Sequence, residues 1–146
     1  MIVDSKKEHL QMPELIMGAM EGMPSEYPPK AVYLAIVKEL TMPDVVAIRF
    51  GNTLFIVHKS NVNEKQGFFR ALNCDTAANY LENSREFVKK MQEMKMETLV
   101  TQFTDSSILN IFKAIARDKP EGMGYAAQKS KDGKKYQVTL QLVPRK

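Results

Sequence analysis

Residues 99–116 read LVTQFTDSSILNIFKAIA, and the stretch changes character halfway. Leu99 to Phe103 is an extended, β-rich run. Thr104-Asp105-Ser106-Ser107 is a polar turn. Ile108, Leu109, Phe112, Ile115 and Ala116 then recur at helical spacing. The stretch therefore predicts a strand that feeds a helix, with Ser106 and Ser107 helping to satisfy the first-turn N–H groups.

The same strand–helix alternation extends upstream. QGFFRAL (66–72) reads as a strand, and METLVTQF (96–103) as the next. Between them, NCDTAANYLENSREFVKKMQEM (73–94) places Ala77, Tyr80, Leu81, Phe87, Val88, Met91 and Met94 on a helical period, with Asp75 or Thr76 as N-cap. VVAIRF (45–50) and TLFIVH (53–58) flank Gly51-Asn52, the signature of a hairpin. At the C-terminal side, GMGYAAQKSKDGKKYQVTLQLV (122–143) predicts a closing hairpin turning at Asp132-Gly133. There Tyr136, Val138, Leu140 and Leu142 alternate with polar residues.

The N-terminal third is helical. IVD (2–4) predicts a short edge strand, and Asp4 or Ser5 a cap. Leu10, Leu15, Ile16, Ala19 and Met20 make a first helix with a restart at Pro13. After the proline-rich break GMPSEYPPK (22–30), the residues Ala31, Tyr33, Leu34, Ile36, Val37 and Leu40 make a second. The order is β-α-α-β-β-β-α-β-α-β-β. It predicts an α/β (α+β) domain over 1–146, a mixed sheet of about six to seven strands with helices packed on it.

Composition narrows the function classes. At 146 residues the chain buries roughly two thirds of its unfolded surface. No apolar run approaches the ~20 residues of a membrane span, and MIVDSKKEHL (1–10) lacks a signal peptide's order. One cysteine, Cys74, fits a reducing cytoplasm. The net charge of +4 is small and scattered and does not by itself argue for a nucleic-acid module. Its excess gathers late, at Lys129, Lys131, Lys134, Lys135, Arg145 and Lys146, either a solvated tip and tail or an anion- or nucleic-acid-facing patch, for which Tyr136 is the one aromatic platform. The ten methionines, including Met12, Met17, Met20 and Met23, read as adaptable core filler and not as metal ligands.

In element order, and at the 99–116 junction, the chain resembles the GNAT-type N-acetyltransferases, above all over residues 45–143. The resemblance implies an acyl-CoA lying in a V-shaped gap between the fourth and fifth strands, with its pyrophosphate on the loop entering the next helix. That assigns acetyl-CoA contacts to Ala71, Leu72, Asn73, Cys74, Thr76, Ala77, Ala78 and Asp105, and the backbone N–H groups at Ala71 to Asn73 to the acyl carbonyl. LNCDTAAN (72–79) has none of the glycines that the family uses there. Taking Asp105 as the family's turn Asn puts Phe112 at the position of the Tyr that protonates the departing thiolate. The family's Gly-Phe after this helix is replaced by ARDKPEGMGY (116–125).

Asp75 is the candidate base, or else the helix cap. Thr101, Tyr125 or water is the substitute proton donor, with Tyr33 and Tyr80 as further hydroxyls. His58 is a candidate base or a packed histidine. Cys74 is a nucleophile activated at a helix start, or a small buried residue. FTDSSILNIFKAI (103–115), followed by the Asp-Gly hairpin, is similar to the small GNAT-like proteins of tailed bacteriophages, some of them internal virion or accessory proteins. Two readings result. One is a transferase with a degenerate active site, acting on acetyl-CoA and an amine. The other is a non-catalytic bacteriophage virion or accessory protein that binds a protein partner, in host cytoplasm or virion.

Overall fold

The computed structural model describes residues 2–3, 10–21, 27–103, 106–117 and 122–142. The elements run β1 (Ile2–Val3), α1 (Met12–Glu21), α2 (Pro29–Glu39), β2 (Val45–Phe50), β3 (Thr53–Lys59), β4 (Gln66–Asn73), α3 (Ala77–Glu93), β5 (Thr98–Phe103), α4 (Ser106–Arg117), β6 (Met123–Lys129) and β7 (Tyr136–Leu142). This is the order expected from the sequence. Asp4, Ser5, Met23, Asp105, Arg145 and Lys146 lie outside the described residues.

The strands form one seven-stranded mixed sheet in the order β1-β2-β3-β4-β5-β7-β6. β1 runs parallel to β2, and β4 parallel to β5; the other neighbours are antiparallel. The turn between β2 and β3 has Gly51 at φ +58, while Asn52 stays out of the left-handed region. Positive φ at the first turn residue alone is the type II′ pattern, which requires glycine there.

Each face of the sheet has its own core. On one, Leu15, Ile16, Ala19 and Met20 of α1 and Ile36 of α2 cover Val45, Ala47, Leu54, Ile56 and Leu72. On the other, Phe87, Val88 and Met91 of α3 and Phe112 of α4 cover Ile48, Phe55, Val57, Phe69, Leu99, Val138 and Leu140. β3 feeds both cores, so its sequence is a continuous apolar run without alternation. α1 starts at Met12 and places Pro13 in the first turn, where its missing N–H has no intrahelical partner to lose.

Two helix faces differ from expectation. In α2 only Ile36 is fully buried, and Leu34 and Val37 are exposed. This helix is apolar nearly all round, so periodicity could not select its inner face. In α3, Ala77 is exposed at the first turn, while Asn83, Ser84 and Gln92 are buried in line with Phe87, Val88 and Met91. No helix among the described residues is long and apolar enough to cross a membrane.

Candidate active site

The sheet is not uniformly joined. β3 and β4 pair over seven residues, from Thr53↔Asn73 to Lys59↔Gly67. β5 and β7 pair over six, from Thr98↔Gln141 to Phe103↔Tyr136. β4 and β5 pair over only three: Gln66↔Thr98, Gly67↔Leu99 and Phe68↔Val100. Beyond Phe68 and Val100 the two parallel strands part.

Alternation fixes what lines the opening. Cys74 N–H donates to Asn52 O, and Ser60 N–H to Gln66 O, each at 2.8 Å. Bonded pairs in an antiparallel ladder recur every second residue, so even-numbered residues of β4 turn their main-chain groups toward β3. Odd-numbered residues turn theirs toward β5. Gly67 meets its β5 counterpart there, whereas Ala71 and Asn73 have none. Their N–H groups point into the gap. On the β5 wall, Thr101 is 6% exposed and shares a face with Leu99.

On the α3/α4 side an aromatic file bridges the opening. Phe112 of α4 lies edge-on to Phe69 of β4, with centroids 6.2 Å apart, and stacks on Phe103 of β5 at 5.9 Å. Phe103 stacks in turn on Tyr136 of β7 at 5.7 Å. Phe112 is buried, and its ring has no proton to give.

The turn from β4 into α3 is Cys74-Asp75-Thr76. Thr76 is the N-cap: it is extended (φ −62, ψ 162), and its Oγ1 accepts from Asn79 N–H at 3.3 Å. Ala77 and Ala78 follow with exposed small side chains and first-turn N–H groups, which have no carbonyl within the helix. No residue of this turn has positive φ. The absence of glycine is thus explained: the loop is a tight capped turn that never enters left-handed backbone.

Asp75 faces inward. Its Oδ2 accepts from Asn52 N–H and from Asn83 Nδ2, both at 2.7 Å. Asn73 Oδ1 accepts from Asp75 N–H at 3.0 Å and from Thr53 Oγ1 at 2.7 Å. Asn83 Nδ2 also donates to Thr53 Oγ1 at 3.0 Å. This network ties the β2–β3 turn, the end of β4 and the first half of α3 together. Asn83 escaped the sequence reading. Its signal was a polar side chain one turn from Tyr80 and Phe87 on the helix's inner face.

The surroundings of Cys74 oppose ionisation of its thiol. Its Sγ donates to the Leu15 carbonyl of α1 at 3.2 Å. Burial, then the charges of Asp75 and Glu21, push its pKa above the ordinary value of 9.0. The close approach requires Gly18 of α1, where an added Cβ would stand 3.0 Å from the sulfur. Leu72 is buried in the α1/α2 core.

The remaining candidates scatter. His58 Nε2 lies 2.5 Å from Glu39 Oε2 at the end of α2, and Arg70 bonds the same carboxylate. Tyr33 packs against the α1/α2 core. Burial pushes the Tyr80 pKa up to about 12. The Tyr125 hydroxyl is buried with no hydrogen-bond partner among the described residues, and burial raises its pKa. Tyr125 pairs with Leu140, which pairs with Leu99, so it lies level with the joined part of β4 and β5. Asp105 lies outside the described residues. No cluster of three or more metal-ligating side chains occurs among the described residues.

No protein-family model and no curated protein sequence matches the chain. Solved structures do match. The ribosomal-protein-S18-alanine N-acetyltransferase from Escherichia coli superposes with TM-score 0.56 at 8% identity, over 94% of this chain and 92% of that one. The ribosomal-protein-alanine N-acetyltransferase from Brucella melitensis gives 0.52 at 11%, over 92% and 98%. At such identities the likeness is one of architecture, and it agrees with the parted fourth and fifth strands: the chain has the GNAT fold.

Proposed function

We propose that the chain binds an acyl-CoA in the gap between β4 and β5 and transfers its acyl group to an amine. One observation carries this reading: the gap opens beside two main-chain N–H groups, of Ala71 and Asn73, and next to the free first turn of α3. The donors present suit the ligand. Ala77 and Ala78 are exposed, and their N–H groups, with the helix dipole behind them, suit an anion. The carboxylate of Asp75 is engaged through Oδ2 by Asn52 and Asn83, which tempers its repulsion of a phosphate. Acetyl-CoA, when bound, supplies an activated thioester. The protein's part is to orient it, to polarise its carbonyl from Ala71 and Asn73 N–H, and to exclude water with the Phe69–Phe112–Phe103 wall.

In this reading Leu72, Asn73 and Cys74 hold the strand end in place, and Thr76 caps the helix at the phosphate. Any acid–base work of Asp75 falls to Oδ1. Phe112 gives packing without a hydroxyl, so protonation of the departing thiolate falls to water or to Thr101. The site is degenerate in that sense, with a general acid worth roughly 10²–10⁴-fold missing.

Calorimetric titration with acetyl-CoA and with CoA tests the reading. Micromolar binding supports it, and release of free thiol in the presence of an amine completes it. No heat at millimolar ligand sinks it. A second reading is then the stronger: a non-catalytic binding or assembly role of the bacteriophage virion or accessory kind. Phe112, buried between the two walls of the gap, is the observation that favours it.

A further inference from the structure

A cleft of about 150 Å³ lies where β5 ends and the β6–β7 hairpin turns. Gln102, Gln128, Gln137, Ser130, Lys129 and Lys135 line it. Gln102 pairs with Gln137 across β5 and β7, and Gln137 with Gln128 across β7 and β6. The three amides thus form one row. Alternation places the row on the sheet face opposite Leu99, Val138 and Leu140, which is the α1/α2 side. Gln102 is also one residue beyond Thr101, on the part of β5 that has left β4. Lys129 and Tyr136, which line the cleft too, lie by the same alternation on the α3/α4 face beside Phe103, so the cleft opens at the end of the sheet, next to the β5 wall of the gap, and not on one face alone.

Its chemistry is one-sided. Gln102 Nε2 donates to Gln137 Oε1 at 3.0 Å, which leaves the Gln137 amide nitrogen as a donor. Two lysines line the cleft and no carboxylate does. Among the described residues, none of Lys129, Lys131, Lys134 and Lys135 forms an ion pair. Asp132, in the same turn, accepts at Oδ1 from Ser130 Oγ and Lys134 N–H, and those bonds, with the nearby charge of Lys135, hold its pKa below the usual value. Lys129 Nζ stands 5.8 Å over the Tyr136 ring, which restrains it at the rim.

We propose that this cleft receives a carboxylate carried by the acceptor, so that the amine acylated belongs to an acidic molecule. The proposal rests on the acyl-transfer reading and names its substrate class. Lysines and amide donors attract an anionic group there, and they reject polycationic amines by like charge.

The test is a titration of the full chain followed by the side-chain amide resonances of Gln102, Gln128 and Gln137. The probes are Ala-Glu amide, Ala-Lys amide and inorganic phosphate. Ala-Glu amide is expected to shift all three resonances and Ala-Lys amide none. The exposed double variant Lys129→Ala/Lys135→Ala is expected to weaken that binding at least tenfold with an unchanged backbone spectrum. Equal binding of the two peptides, an absent response, or binding that survives the double variant overturns the proposal. Phosphate bound more tightly than Ala-Glu amide also overturns it, since the cleft would then be a phosphate site. The assay needs no acetyl-CoA, so the two readings fail separately. Acidic-peptide binding without acetyl-CoA binding removes the transferase and keeps the site. The converse keeps the transferase and removes this acceptor class.

Discussion

Replacing Asp75 by alanine tests the network behind the candidate phosphate turn. Oδ2 of Asp75 accepts two bonds of 2.7 Å. Both donors are shut away from water: Asn52 is 8% and Asn83 6% exposed. Hydrogen bonds to a charged group are worth about 1.5–3 kcal/mol each, and a stranded buried donor costs about 1–3 kcal/mol. Asp75 itself is half-buried, so relief of its own desolvation offsets part of that sum. A net loss of about 3 kcal/mol results, on the order of a third of a typical domain's stability. With a urea slope of about 2 kcal/mol/M the midpoint falls by about 1.5 M. At about 3 °C per kcal/mol the melting temperature falls by about 9 °C. Asp75→Asn keeps an acceptor oxygen and loses the charge, for about 1 kcal/mol. In a double-mutant cycle with Asn83→Ala, the coupling should be on the order of 1.5 kcal/mol. A shift under about 0.5 kcal/mol for Asp75→Ala, or strict additivity with Asn83→Ala, would refute the reasoning. The same variants separate bracing from catalysis: Asp75→Asn that stays folded, binds acetyl-CoA and still fails to turn over assigns Asp75 a proton.

Three further outcomes follow from the geometry. Phe112→Tyr should raise thiol release from acetyl-CoA by about 10²-fold by restoring a proton donor, at a stability cost near 1 kcal/mol; an unchanged rate would place the hydroxyl away from the reacting sulfur. Gly51→Ala puts a Cβ 2.9 Å from Asp75 Oδ2 at φ +58, so about 2–3 kcal/mol should be lost, and less on the Asp75→Ala background, as read by urea denaturation. Tyr80 ionises near 10 when unfolded and near 12 when folded. Because the unfolded chain releases that proton first, Tyr80's contribution is complete below pH 10 and is lost between pH 10 and 12, a fall of about 2–3 kcal/mol that Tyr80→Phe should abolish in base denaturation.

The fold was legible because its elements announce themselves locally. A glycine turn between two β-rich runs, the amphipathic run after Asp105 and the alternation from Tyr136 to Leu142 each specify one element and one face. Faces failed where the local pattern carries no contrast, as in α2, whose outer Leu34 and Val37 resemble its inner Ile36. The parting of β4 and β5 was readable only through the resemblance. A strand's sequence states that it will pair, and not how many of its residues do. The Asp75–Asn83 bond joins residues eight apart through a turn, and no propensity encodes it. For Cys74 the sequence left a nucleophile and a small buried residue both open: the opposing charge of Asp75 was legible next to it, whereas the Leu15 carbonyl and Glu21 of α1 come from elsewhere in space.

The two portions of the sheet are held edge to edge by three residue pairs and face to face by rings. Hydrogen-bond ladders resist shear because each bond has a direction. Stacked and edge-on rings resist separation and hold their partners through a broader range of geometries than a hydrogen bond does. Residues 66–68 and 98–100 are therefore the line about which the two portions would turn, with Phe112 seated against both of them. A turn about this line would change the angle of the wedge without breaking a ladder bond.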